Sequence, residues 1–163
     1  MFKRVLVYKR THNGDPDKNG CFGCNDCMKS FRAREFDAVI GIGGIGAQAR
    51  SWGIDRKINW IGVGPHKFPA TDRKGPLVTF DHFYDCSKDA LDFKTLAPNL
   101  AKRMYRNNVR SLVHGFTSQE LAEVNKIVRL ALKSPPSRSK LSSGADACTA
   151  VRCEPKKTAG QCC

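Results

Sequence analysis

Residues 21–46 read CFGCNDCMKSFRAREFDAVIGIGGIG and bring together three closely spaced cysteines, a basic segment and a strand-like run that ends in glycines. Glycine allows close approach of the backbone and positive φ angles. Clustered thiols can ligate a metal ion. We therefore expect both a decisive turn of the fold and a functional site in or near this stretch.

The glycines of this stretch follow a predicted strand and fit the pattern G-x-G-x-x-G of a dinucleotide-binding turn (Gly41, Gly43, Gly44 and Gly46). Two observations argue against that fold. Residues 46–57, interrupted by Gly53, barely leave room for a crossover helix before the next strand, and that strand lacks the acidic residue that binds a ribose. We therefore predict that Gly43-Gly44 bends or turns the chain. The glycines then serve either this backbone geometry or the close approach of a ligand.

The three cysteines Cys21, Cys24 and Cys27 could ligate one tetrahedral ion, because a short turn points successive thiolates inward. A fourth ligand is needed, and the candidates are Cys86, His82 and His12. Zinc is the candidate cofactor, although the second Cys-x-x-Cys pair of a zinc ribbon is missing and an iron–sulfur cluster would also want a fourth cysteine. The alternative is that these are small, partly buried thiols without a metal.

The chain of 163 residues has a formal net charge of +13 and a pI near 9.6. Such a charge favours an anionic partner, most commonly nucleic acid, over a merely solvated surface. No apolar run is long enough to cross a membrane, and the run Val5 to Tyr8 is too short for the core of a signal peptide. We therefore expect a cytoplasmic protein with no membrane partner, whose cysteines are thiols or metal ligands rather than disulfides.

The composition changes at Ser134, after which large apolar residues almost disappear. Such a segment cannot bury enough surface to offset the entropy of ordering it. The sequence predicts one globular domain over residues 1–133 and a disordered, low-complexity tail over residues 134–163.

The globular part combines four predicted strands with two predicted helices. The strands are rich in β-branched and aromatic residues (Arg4 to Tyr8, Asp37 to Ile42, Ile58 to Val63 and Leu77 to Phe83). The better specified helix begins with a capping box at Thr117 and Glu120 and ends before Pro135. The weaker helix, over Pro98 to Arg106, carries basic residues that can form a stripe (Lys102, Arg103 and Arg106, with Arg110).

The order of these features resembles the nucleotide-modification-associated domains, small proteins of phages and bacteria that are related to the EVE and PUA-like group. The segments that carry the likeness are the first strand, the turn from His12 to Pro16, Cys24 to Arg32, Asp37 to Gly43 and the aromatic segment Phe80 to Tyr84. The likeness covers most of residues 3–133. Phe36 stands where the family has its first glycine, the triple cysteine and the doubled glycine are not typical of the family, and the tail has no counterpart in it.

The resemblance implies an α+β fold, a mixed and partly closed PUA/EVE-like β-barrel with flanking helices. It also implies a nucleic-acid-binding role, extending to the reading of modified bases. An extruded base is stacked between aromatic planes and read along its edge by polar groups. The candidate base-binding residues are Trp52, Arg50, Gln48, Tyr8, Asn13 and Phe83, and the candidate phosphate-binding residues are Lys9, Arg10, Lys29, Arg32 and Arg34. Trp52 is the strongest of these candidates, since no packing pattern requires an indole there.

The sequence contains no nucleophile elbow, P-loop or His-x-x-x-His site, and we assign no catalytic residue. The leading hypothesis is therefore a nucleic-acid-binding module rather than an enzyme. Two alternatives stay open: a nucleotide-binding α/β enzyme that uses the loop from Gly41 to Gly46, and a metal-stabilised interaction domain.

Overall fold

The computed structural model describes residues 1–9, 36–51, 53–68, 77–86, 91–109, 111–112, 114–136 and 138–139. The strands in these ranges are β1 (Val5–Lys9), β2 (Ala38–Ile42), β3 (Lys57–Phe68), β4 (Leu77–Asp85), β5 (Leu91–Asp92), β6 (Ser111–Leu112) and β7 (Arg138–Ser139). The helices are α1 (Ala47–Ser51), α2 (Phe93–Leu96), α3 (Pro98–Arg106) and α4 (Ser118–Leu132). The mixed α+β class predicted from the sequence is confirmed, as are all four predicted strands and both predicted helices.

The strands form one mixed sheet in the order β6-β1-β2-β3-β4-β7, and β5 pairs with β3 beyond the end of β4. Strands β1 and β2 are parallel, whereas the other pairs are antiparallel. Within the described residues the sheet is open between β6 and β7, so the barrel closure implied by the resemblance is not seen there. Residues 138–139, which the sequence assigned to the tail, form β7 and pair with β4.

The connection after the glycine-rich strand is neither a βαβ crossover nor a two-residue hairpin turn. Strand β3 runs antiparallel to β2, so no βαβ crossover joins them and the dinucleotide-fold interpretation is wrong for this segment. The prediction that Gly43-Gly44 bends or turns the chain agrees with a strand that ends at Ile42, but the connection is longer than a hairpin turn, because residues 43–56 intervene and include helix α1. The glycines end the strand and begin a longer antiparallel connection.

One face of the sheet packs on the helices α2, α3 and α4. Alternate residues of β1 and β2, together with apolar residues of β3, point toward this face and meet a row of helix residues that includes Phe93, Leu100, Met104, Val124 and Ile127. Leu100 and Met104 are fully buried. Thr117 is the N-cap of helix α4 and forms the predicted capping box with Glu120. Lys133 is the C-cap, two residues before Pro135. No helix in the described ranges is both long and apolar enough to span a bilayer.

The opposite face of the sheet carries a second apolar cluster that is mainly aromatic. Its members are all at most 7 % exposed (Leu6, Tyr8, Phe36, Val39, Trp60, Phe80 and Phe83). The continuous apolar sequences of β1 and β2 follow from this arrangement, because strands buried on both faces have no polar alternation.

Candidate nucleic-acid interface

The aromatic residues predicted to stack on a base are part of the second apolar cluster. Tyr8 and Phe83 are each 7 % exposed, and Phe83 stacks on Phe80 with ring centroids 6.4 Å apart. Trp60 lies beside both phenylalanines at 5.8 and 6.1 Å. A ligand could reach these rings only by opening the core. The assignment of Tyr8 and Phe83 to base binding is therefore wrong.

The space beside the first glycines of the loop, where a side chain would lie, is filled by other groups of the protein. A Cβ atom built on Gly41 would fall within the indole of Trp60, and one built on Gly43 would fall on the carbonyl oxygen of Ile54. Gly46 differs, because a Cβ atom there meets nothing within 4 Å. Close approach is therefore required at Gly41 and Gly43, but the approaching groups are an indole and a main-chain carbonyl rather than a ligand.

The connection that follows is held by short-range main-chain bonds. The Gly43 amide donates to the Lys57 carbonyl at 2.8 Å, and the Arg56 amide donates to the Gly44 carbonyl at 3.2 Å. Gly44 is half-buried. Arg56 has a φ of 53°, a left-handed conformation that is costly outside glycine. The segment is thus a closed loop whose shape is set by its own backbone.

Two of the predicted polar readers, Gln48 and Arg50, lie together on α1 and are exposed. The Arg50 guanidinium donates to the Ile45 carbonyl at 2.9 Å, which ties the side chain back to the loop. From the other side the Tyr105 hydroxyl donates to the Gly43 carbonyl at 2.8 Å. Burial, followed by the nearby Asp55 carboxylate, raises the pKa of Tyr105, so this hydroxyl keeps the proton it donates. Tyr105 therefore anchors the loop to α3.

Lys9, predicted to bind phosphate, is only 4 % exposed. Its Nζ donates to Asn108 Oδ1 at 3.0 Å and to the Met104 carbonyl at 3.4 Å, and it lies 5.9 Å from the centre of the Tyr105 ring. Asn108 has a φ of 49°, a conformation that asparagine tolerates better than most residues. The prediction for Lys9 is wrong, because its ammonium ties β1 to the end of α3.

The remaining predicted base- and phosphate-binding residues lie outside the described residues (Asn13, Trp52, Arg10, Lys29, Arg32 and Arg34), as do Cys21, Cys24 and Cys27. The roles assigned to them stay predictions. Cys86 is described and half-buried, and burial together with Asp85 raises the pKa of its thiol to about 11. In the described part of the chain, no group of three or more His, Cys, Asp or Glu residues could hold a metal ion.

The structure does assemble a basic cleft on the outer side of α3, which we call the α3 cleft. Its volume is about 370 Å³, and its lining residues all carry hydrogen-bond donors (Asn99, Lys102, Arg103, Arg106 and Asn107). Lys102 and Arg106 are one helical turn apart and exposed. The stripe predicted from the sequence is confirmed for these residues, while Arg110 lies outside the described residues.

Carboxylates of the neighbouring helix α4 are occupied by internal contacts. Glu120 is 4 % exposed and accepts from the Arg103 guanidinium at 2.8 Å and from the Thr117 amide at 2.9 Å. Glu123 accepts from the amides of Asn99 and Leu100 at 3.1 and 3.0 Å, where it stabilises the first turn of α3. Glu120 thus offsets the charge of Arg103, and the described contacts of both carboxylates are with groups other than Lys102 and Arg106.

Sequence reasoning missed the anchoring role of Tyr105 and the burial of Lys9. The contacts of Lys9 with α3 join residues 95 and 99 positions apart, and no local pattern reports such pairs. The only local signal is Asn107-Asn108 after a predicted helix, which is typical of a turn. Comparison of the chain with protein-family models, curated proteins and solved structures found no match.

Proposed function

We propose that this protein binds nucleic acid and contacts the phosphate backbone through the α3 cleft. The observation that carries the proposal is that Lys102 and Arg106 are exposed side by side on α3. The neighbouring carboxylates Glu120 and Glu123 make their described contacts with other groups. Positive side chains that are clustered on one surface attract a polyanion more strongly than isolated surface lysines do. The formal charge of +13 adds a long-range attraction of the same sign.

The spacing in the cleft suits a nucleic-acid strand. Four residues of helix rise by about 6 Å, and a strand of duplex carries one phosphate per roughly 3.4 Å of axis. Lys102 and Arg106 can therefore meet about two neighbouring phosphates. The Asn107 amide at the end of the cleft supplies an uncharged donor for the same backbone. Contacts of this kind fix position and carry no base preference.

The proposal is tested by fluorescence anisotropy with labelled single-stranded DNA, duplex DNA and RNA. We expect binding that weakens steeply between about 50 and 200 mM salt. The double substitution K102Q/R106Q should weaken binding by about tenfold at low salt and reduce the log–log salt slope by about 2. Both substitutions should keep the helix intact, since glutamine is a good helix former.

Lys57→Gln is the matched control, because it removes one positive charge elsewhere. Lys57 is next to Ile58, which packs on the helix side, so strand alternation places Lys57 on the other face of the sheet. It should leave the salt slope nearly unchanged. A loss in the control that is half of the loss in K102Q/R106Q, and therefore equal per charge removed, would show that only net charge matters. Absence of binding to every oligonucleotide at low salt would refute the proposed function.

The finer part of the proposal is that the protein reads a modified or extruded base with Trp52, in the manner of the PUA-like and EVE group. Exposed Gln48 and Arg50 supply polar groups just before Trp52 in the chain. Barrel closure and the choice of modified base belong to this finer proposal as well.

Intrinsic fluorescence tests the finer proposal, because the chain has two tryptophans and Trp60 is 3 % exposed. A duplex with a mismatched base should quench the emission on binding, since stacking on a base quenches an indole. We expect Trp52→Phe to remove the quench and Trp60→Phe to preserve it. A quench that survives Trp52→Phe would contradict base stacking at Trp52 and leave the phosphate-binding proposal standing.

A further inference from the structure

A second surface of different chemistry lies between the first residue of the chain and the outer side of α4. This groove, with a volume of about 530 Å³, combines apolar residues (Met1, Ala122 and Leu130) with basic residues (Lys126, Arg129 and Lys133). Met1 and Leu130 are 81 % and 38 % exposed. None of the described residues that line the groove carries a carboxylate. We call it the α4 groove.

The wall of the α4 groove is held in place by a buried side chain. Asn125, 4 % exposed, accepts from the Phe2 amide at 2.8 Å through Oδ1 and donates to the Phe2 carbonyl at 3.0 Å through Nδ2. This two-way amide clamp fixes the start of the chain against α4. The clamp thus holds the main chain next to Met1 in place, which lowers the cost of ordering this side of the groove when a ligand binds.

We propose that the α4 groove binds an acidic segment of a partner protein that inserts an apolar side chain between Met1 and Leu130. The carboxylates of such a segment would meet Lys126, Arg129 and Lys133, which line the same groove. Exposed apolar surface rimmed by charge is typical of a protein-binding site. The proposal concerns a different surface from the α3 cleft and does not depend on the proposed nucleic-acid binding.

Three other occupants fit the groove less well. A second copy of this chain would bring together two surfaces of the same sign on molecules with a formal charge of +13. Nucleic acid would satisfy the three cations but leave Met1 and Leu130 in contact with a polar backbone. A flat lipid surface matches an amphipathic helix that projects outward, whereas here the apolar residues line a concavity.

The test uses the full chain and a fluorescein-labelled synthetic peptide in which Asp and Glu alternate with Leu and Phe. A second peptide replaces Leu and Phe with Ser and keeps every charge. We expect the apolar–acidic peptide to bind at least about tenfold more tightly than its polar analogue, because only the former fills the groove. Equal binding of the two peptides would overturn the proposal, since charge alone would then explain it.

Two variants locate the binding site. Leu130→Ser removes apolar lining, and K126Q/R129Q removes charge, and each should weaken the apolar–acidic peptide by about tenfold. Leu91→Ser is the matched control, because Leu91 is a 42 % exposed leucine on β5. Thermal unfolding of each variant shows that it is folded. Loss of binding in the control, or none in Leu130→Ser, would overturn the proposal.

Competition separates the two surfaces and the other occupants. K102Q/R106Q should bind the peptide like the wild-type chain, whatever the outcome for oligonucleotides. If an oligonucleotide displaced the peptide from the wild-type chain, and K126Q/R129Q lost this binding of the oligonucleotide, the groove would instead be assigned to nucleic acid. A separate assay sediments the protein with anionic phospholipid vesicles. If Leu130→Ser reduced this co-sedimentation more than it reduced peptide binding, the groove would be assigned to a membrane surface. Either result would overturn the peptide proposal.

Discussion

Gly43→Ala is expected to destabilise the protein by about 3 kcal/mol or more. The added Cβ atom would fall on the carbonyl oxygen of Ile54. That carbonyl accepts from the Lys57 amide at 3.1 Å, and the Lys57 carbonyl accepts from the Gly43 amide at 2.8 Å. The new methyl group would therefore clash with a main-chain carbonyl that is held by these hydrogen bonds. Such a group cannot move aside as a flexible side chain can.

Urea denaturation followed by circular dichroism measures this effect, and two other glycines provide the comparison. Gly46→Ala should change stability by less than about 0.5 kcal/mol, because nothing lies within 4 Å of the new methyl group. Gly41→Ala should be strongly destabilising, but its clash is with the Trp60 side chain. Adding Trp60→Leu should then recover part of the lost stability in Gly41→Ala and none in Gly43→Ala.

This series also decides between the two interpretations of the glycines that the sequence left open. If Gly43→Ala were as stable as the wild-type chain and lost oligonucleotide binding instead, the glycine would serve a ligand. Unfolding without rescue would assign it to the backbone geometry of the loop. The contacts to Ile54 and Trp60 predict the second result.

How far the sequence determines this fold depends on the range of the interactions involved. The capping box at Thr117 and Glu120 is a local pattern, and the structure confirms it. The direction of β3 after Gly43 was not readable, because the same glycines suit a crossover, a tight turn and the longer loop that is present. Only the pairing of Ala38 with Val63 and of its neighbours decides among the three.

The candidate site shows the same division. The basic stripe of α3 could be predicted, because residues three and four apart share a helix face. Tyr8 and Lys9 could not be placed correctly, because both end a continuous apolar strand and neither alternation nor charge reveals that this strand is covered on both faces. Tyr105 and Asn108, both distant from Lys9 in the chain, supply a ring and an oxygen for its buried ammonium.

A further local irregularity explains why alternation fails in β3. The register shifts where Gly41 pairs with Trp60 and Ile42 pairs with Ile58, so Asn59 is an extra residue in the strand. Ile58 therefore joins the helix-side core, whereas Trp60 joins the aromatic cluster. A pattern with period 2 cannot predict two residues of equal parity on opposite faces.

Glu120→Ala is the second substitution for which we expect a large effect, a loss of about 3 kcal/mol of stability. The carboxylate has two structural roles, since it pairs with Arg103 and completes the capping box with Thr117. Removing it leaves the Arg103 guanidinium, whose side chain is 32 % exposed, with only the Gly115 carbonyl at 2.7 Å among its described contacts. Glu120→Gln keeps an acceptor oxygen and should cost only about 1 kcal/mol.

Binding should respond to Glu120→Gln in the opposite direction to stability. Without the carboxylate, the positive charge of Arg103 is no longer neutralised in the α3 cleft, so oligonucleotide affinity at low salt should rise a few-fold and the salt slope should steepen. Gln119→Ala, an exposed change one residue earlier, should move neither property. Equilibrium unfolding and anisotropy on the same preparations measure both. Glu120→Gln that lowers stability and leaves affinity unchanged would separate Arg103 from the binding surface, because a charge that faced the phosphates could not be unmasked without effect.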